Sequence, residues 1–136
     1  MKQQEKHQGA TVVVVDADIL VRMPIAAYLR ECGYRVIEAA NTEEAMIVLR
    51  EAELKIDAIL TDIESETPGG GFALAKWVRE NRPHINVIMA GTPQRAAKEA
   101  GELCSEGPHL ARPYDHAIVE AYIRRLLSAR RKLDPV

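Results

Sequence analysis

The chain has 136 residues, 47% of them hydrophobic and 28% charged, which is enough to fill one core and leaves no expectation of a second output module. A net charge of −2 and a pI near 6.1 give no global attraction to nucleic acid or to a membrane surface. The polar start Met-Lys-Gln-Gln-Glu-Lys-His-Gln and the shortness of every aliphatic run argue against a signal peptide or a spanning helix, so a cytoplasmic location is expected.

Strand and helix patterns alternate five times with short polar connections. Thr11 to Val15 reads as strand one. A helix follows from an N-cap at Asp18 through Ile19, Leu20, Met23, Ile25, Ala26 and Leu29 to Cys32, where Gly33 stops it. Pro24 is taken to lie early in that helix, where proline is tolerated. Tyr34 to Ala39 is strand two, and Asn41 followed by Glu44 resembles a capping box opening a helix over Glu43 to Glu53. Ala58 to Thr61 is strand three. The polar, glycine-rich segment after Asp62, with glycines at 69 to 71, reads as a loop and hinge before a helix carrying Phe72, Leu74, Ala75 and Val78. No Gly-Lys-Ser/Thr follows those glycines, so they are not a phosphate-cradling loop. Ile85 to Ala90 is strand four, Gln94 to Cys104 helix four, His109 to Ala111 a short strand five, and Asp115 to about Lys132 the last helix. Cys32 and Cys104 lie far apart without a CxxC or Cys/His cluster, which suits reduced structural thiols rather than a zinc site or a disulfide framework.

Two apolar runs stop at an aspartate: Val12-Val13-Val14-Val15 at Asp16, and Ala58-Ile59-Leu60-Thr61 at Asp62. Runs of this kind are buried strands, and in an open α/β sheet their carboxyl ends form the ligand edge. Two carboxylates gathered there repel unless a cation or a transferred group needs them. Taken singly, each also reads as an ordinary cap or turn residue.

With Arg112-Pro113 after the fifth strand, these motifs resemble the receiver domain of bacterial two-component response regulators over essentially residues 10 to 128. The resemblance implies a flavodoxin-like, doubly wound (βα)5 fold, α/β, with a parallel five-stranded sheet of order 2-1-3-4-5. It implies boundaries of a polar tail at 1–9, a receiver domain at 10–129 and a C-terminal tail at 130–136. Asp62 takes the place of the phosphoacceptor. Asp16, Asp62 and Glu64 take the places of the acidic pocket that holds Mg²⁺, and Arg112 that of the phosphate-binding lysine. Gly91 stands at the switch Ser/Thr, with Thr92 beside it as a substitute phosphate contact, and His109 at the aromatic switch position. Pro113 matches the family's cis-proline turn.

The departures bear on function. Ala17 replaces the family's second acid, so Mg²⁺ binding is expected to be weakened. Gly91 lacks the hydroxyl that couples phosphorylation to the opposite face. Asp16-Ala17-Asp18 also fits the DxD signature of haloacid-dehalogenase-like phosphatases, but the later lysine and distal acidic pair of that family are missing.

The expected function is therefore a single-domain phosphoacceptor rather than an enzyme, promoting at most its own phosphorylation and dephosphorylation. Its partners would be a histidine kinase or phosphotransfer protein, and an output protein on the face formed by helix four, strand five and helix five. The alternative is a degenerate receiver that binds partners without phosphorylation. No nucleic-acid or membrane partner is expected, the basic group Arg124, Arg125, Arg130, Arg131 and Lys132 suiting a helix end, and a homodimer stays open.

Overall fold

A computed structural model describes residues 10–62 and 70–106, together with positions 121 and 125, both helical. Its elements are β1 (Thr11–Val15), α1 (Ile19–Glu31), β2 (Arg35–Ala39), α2 (Thr42–Leu49), β3 (Ala58–Asp62), α3 (Gly70–Asn81), β4 (Asn86–Ala90) and α4 (Pro93–Glu106). Four parallel strands form a sheet of order β2-β1-β3-β4. The proposed fifth strand and last helix lie outside the described residues, apart from positions 121 and 125.

β1 runs through the middle of this sheet, which is why its four valines are buried on both faces and show no polar alternation. Side chains alternate between two core layers. Val12, Val14 and Leu60 meet α1 and α4, while Val13, Val15 and Ile59 meet α2 and α3. The sheet is thus wound on both sides, with two of the described helices on each.

The helix caps follow the sequence. The Asp18 carboxylate accepts from the Leu20 N–H at 2.9 Å and opens α1, and Gly33, at φ 102°, supplies the left-handed turn beyond its end. At α2 the Asn41 side chain accepts from the Glu44 N–H, while Glu44 reaches back to the Ala40 N–H rather than to that of Asn41.

Other expectations are corrected. α2 stops at Leu49 instead of continuing to Glu53, because Arg82 donates to the Leu49 and Leu54 carbonyls and ties the chain into a turn that delivers Ile56 to the core. Pro24 sits inside α1, beyond the first turn, and is buried. Ile19, Met23 and Phe72, named among the apolar residues of their helices, are exposed.

The two cysteines are not independent thiols. Cys32, in the C-terminal cap of α1, and Cys104, in the last turn of α4, form a disulfide with Cα atoms 5.8 Å apart. Their separation of 72 residues hid this, because only the packing of α1 beside α4 brings the two helix ends together.

Candidate functional site

Strand register builds the site. Val15 pairs with Thr61 across β1 and β3, and Asp62 pairs with Ala90 across β3 and β4. Asp16 and Asp62 therefore stand at matching ends of neighbouring strands, and Gly91 follows at the end of the next. Asp16 and Asp62 share the alternation of Val14 and Leu60, so they continue the layer that faces α1 and α4. Asp16, Asp18, Asp62, Gly91 and Thr92 all line one cleft of about 160 Å³, floored by Val14, Leu60 and Ile25.

Two helices begin at this cleft. Asp18 caps α1, and Thr92 caps α4, its hydroxyl oxygen accepting from the Arg95 N–H at 3.1 Å and its carbonyl from the Ala96 N–H at 2.9 Å. Both positive helix ends consequently face the carboxylates, an arrangement suited to a ligand carrying negative charge.

Asp16 is held tightly. Its N–H donates to the Ala39 carbonyl at 3.0 Å, its carboxylate accepts from the Asp18 N–H at 2.9 Å, and its carbonyl accepts from Arg22 Nη1 at 2.7 Å. Burial pushes its carboxyl above the usual carboxylate range, and the charges of Asp62 and Asp18 add to this. The hydrogen bond from Asp18 and the nearby Arg22 charge oppose it. Arg22 is itself anchored, its Nε lying 3.0 Å from Glu38 of β2, while Arg30 approaches the other Glu38 oxygen at 3.4 Å. This clamp was not found from the sequence. Arg22 falls outside the apolar stripe of α1, and nothing in the spacing of Arg22, Arg30 and Glu38 announces that β2 lies beneath that helix.

Among the described residues no group of three or more His, Cys, Asp or Glu is placed to hold a metal ion. Asp16 and Asp62 alone fit Mg²⁺ in a limited way, since that ion accepts one or two protein carboxylates and fills its octahedron with water and phosphate oxygens. The raised proton affinity of Asp16 comes first from its burial, with the Asp62 and Asp18 charges adding to it. Ala17 is exposed and offers no ligand.

The structure thus gathers Asp16, Asp62, Gly91 and Thr92. Glu64, His109, Arg112 and Pro113 lie outside the described residues. Asp18, the second acid of the DxD reading, has its carboxylate committed to capping α1.

The sequence profile of the response regulator receiver domain matches residues 12–109. The chain belongs to that family. Among curated relatives, the two-component response regulator-like protein APRR9 of Arabidopsis thaliana is 37% identical over 92 residues, 64% of this chain and 19% of that protein. PRR37 of Oryza sativa subsp. indica, also named two-component response regulator-like, is 34% identical over 79 residues, 57% of this chain and 11% of that protein. The chain accordingly spans less than a fifth of the length of these two relatives. A response regulator receiver domain protein from Clostridium thermocellum superposes with a TM-score of 0.57 at 20% identity, covering 92% of this chain and 99% of that one. The chemotaxis response regulator CheY4 of Vibrio cholerae gives 0.56 at 24% identity, covering 87% and 98%. At these identities the two structures support the fold alone. Receivers are signalling domains, and the acidic site of the family generally binds Mg²⁺.

Proposed function

We propose that this receiver is a phosphoryl acceptor on Asp62, in a domain spanning residues 10–129. The observation that carries this reading is the placing of Asp16 and Asp62 at adjoining strand ends, in a cleft bordered by the N-terminal turns of α1 and α4. A carboxylate oxygen of Asp62 attacks the phosphorus of a partner's phosphohistidine. The P–N bond breaks, an acyl phosphate forms, and the imidazole leaves with a proton.

Little covalent help is needed, so the chain's work is positioning and charge. Asp16 and Asp62, with Glu64, would hold Mg²⁺, which when bound supplies neutralising charge between attacker and phosphoryl group. The N–H groups opening α1 and α4 favour the added anion. The Thr92 hydroxyl accepts from Arg95 and keeps its own proton to donate to a phosphoryl oxygen, while Arg112 supplies the cation. Gly91 and His109 occupy the switch positions, and Pro113 the turn after Arg112. The donor is a histidine kinase or phosphotransfer protein in the cytoplasm, and output passes to a protein bound on the face of helix four, strand five and helix five.

A second reading is favoured by Ala17 and Gly91: a degenerate receiver that recognises partners without being phosphorylated. Incubation with acetyl phosphate and Mg²⁺ followed by intact-mass measurement separates the two. An adduct of one phosphoryl group, absent in Asp62→Asn, supports the first; its absence from the unsubstituted chain leaves only the second.

A further inference from the structure

We propose that Cys32 and Cys104 form a reversible thiol–disulfide site that latches α4 against α1 and thereby sets the wall of the carboxylate cleft. Among the described residues, α4 packs on the rest of the fold mainly through small side chains. α1 buries Val21, Ile25, Tyr28 and Leu29, and α3 buries Leu74 and Val78. α4 offers Ala96, Ala97 and Ala100 as its fully buried contacts, with Leu103 only partly covered. Methyl groups remove little apolar surface from water, so among the described residues these contacts hold α4 less firmly than the larger buried side chains hold α1. The largest fully buried side chain α4 contributes is that of Cys104. Beside the disulfide, the Tyr34 hydroxyl donates to the Leu103 carbonyl, placing both polar and covalent ties in the same last turn.

The geometry links this latch to the site. α1 and α4 each start at the cleft, through the Asp18 and Thr92 caps, and are joined at their far ends by the cysteine pair. Freeing the C-terminal end of α4 lets the whole helix shift on its alanine face, carrying Thr92 and Ala96 at the cleft wall with it.

The exchange balances with a low-molecular-weight disulfide as oxidant. One cysteine thiolate attacks it and expels a thiolate, leaving a mixed disulfide. The second cysteine attacks the protein sulfur of that bond and expels the other thiolate, both leaving groups taking up the cysteines' protons. Cys32 and Cys104 are 4% and 0% exposed, so exchange proceeds through fraying of the last turn of α4, the end of a helix being where opening is easiest.

The test uses the full chain, equilibrated with oxidised glutathione or with dithiothreitol. Alkylation and intact mass are expected to find no free thiol in the first case and both in the second. In the reduced protein the amide protection factors across Arg95 to Cys104 are then expected to fall at least tenfold below those of β1 and β3, a gap that closes when the cross-link is formed. The double variant Cys32→Ser/Cys104→Ser should show the gap in both buffers. Alkylatable thiols after oxidation, protection in α4 that stays level with that of β1 and β3 on reduction, or a serine variant that still responds to reductant would each overturn the latch. The readout is α4 itself, so failure to phosphorylate Asp62 would refute the proposed function and leave this inference standing.

Discussion

Arg22→Met removes the clamp beneath Asp16 while keeping the unbranched apolar stem. Two interactions go with the guanidinium: the 2.7 Å bond to the Asp16 carbonyl and the 3.0 Å contact with Glu38. Hydrogen bonds to charged groups contribute about 1.5–3 kcal/mol each, but side-chain exposures of 14% for Arg22 and 26% for Glu38 call for a discount towards the exposed-pair range. Arg30 also remains near Glu38 to share its charge. The expected loss of folding stability is therefore about 2 kcal/mol, read as a urea midpoint lowered by roughly 1 M at a slope of about 2 kcal/mol/M. Glu38→Gln should cost about 1 kcal/mol, and the double variant less than the sum of the two, because the residues are in contact. The Arg22 charge also holds the Asp16 carboxyl down, so its titration, followed by carboxyl carbon NMR, should move further up in Arg22→Met. A stability change under about 0.5 kcal/mol, the level of an ordinary surface substitution, together with an unmoved Asp16 titration, would refute the clamp.

Asp16→Asn should stabilise the fold at neutral pH. The folded carboxyl binds its proton more tightly than the unfolded one, so Asp16 supports folding below the ordinary carboxylate value and loses that contribution as pH rises through the raised folded value. Urea midpoints across that window should fall with pH less steeply in the asparagine variant, and parallel curves would count against the desolvated site. Breaking the cross-link by Cys32→Ser/Cys104→Ser should cost up to about 4 kcal/mol, since it closes a loop spanning a sequence separation of 72; a loss below about 1 kcal/mol, measured against the oxidised parent, would contradict a formed disulfide. On α3, Leu74→Ala should cost about 2–5 kcal/mol and Phe72→Ser less than about 0.5 kcal/mol, given exposures of 1% and 59%. Similar denaturation midpoints for the two variants would mean that the helix is rotated.

β1 and β3 were legible because burial on both faces forces continuous apolar runs, and the four described strands each ended within a residue or so of their expected places. The Asp16 and Asp62 pairing was legible for the same reason, since a strand-end aspartate in a parallel sheet can point only to the carboxyl edge. What the sequence hid depends on contacts between distant elements. α2 ends at Leu49 because Arg82, from beyond α3, captures its carbonyl, and no residue near Leu49 encodes that. The cysteine pair and the Arg22–Glu38 clamp likewise exist only once α1 has packed against α4 and β2. Phe72 and Met23 misled in the opposite sense: periodicity records that a residue is apolar, not that a neighbour covers it.

Ala17 is the position where the two readings of this receiver part. It lies between Asp16 and the helix cap Asp18, and it is exposed, so Ala17→Asp meets little steric resistance. Without a cation the new carboxylate adds to the repulsion that already raises the Asp16 proton affinity, and the variant should be slightly less stable than its parent. With Mg²⁺ the sign reverses. One negative charge about 4 Å from a divalent ion contributes roughly 2 kcal/mol even at the dielectric of water, which corresponds to about thirtyfold in affinity. Calorimetric titration should therefore show Mg²⁺ binding tightened at least tenfold by Ala17→Asp, and the gain abolished when Asp62→Asn is added. If the affinity does not move, the cation does not sit between strands β1 and β3, and the acidic cleft of this receiver serves recognition without metal-assisted phosphorylation.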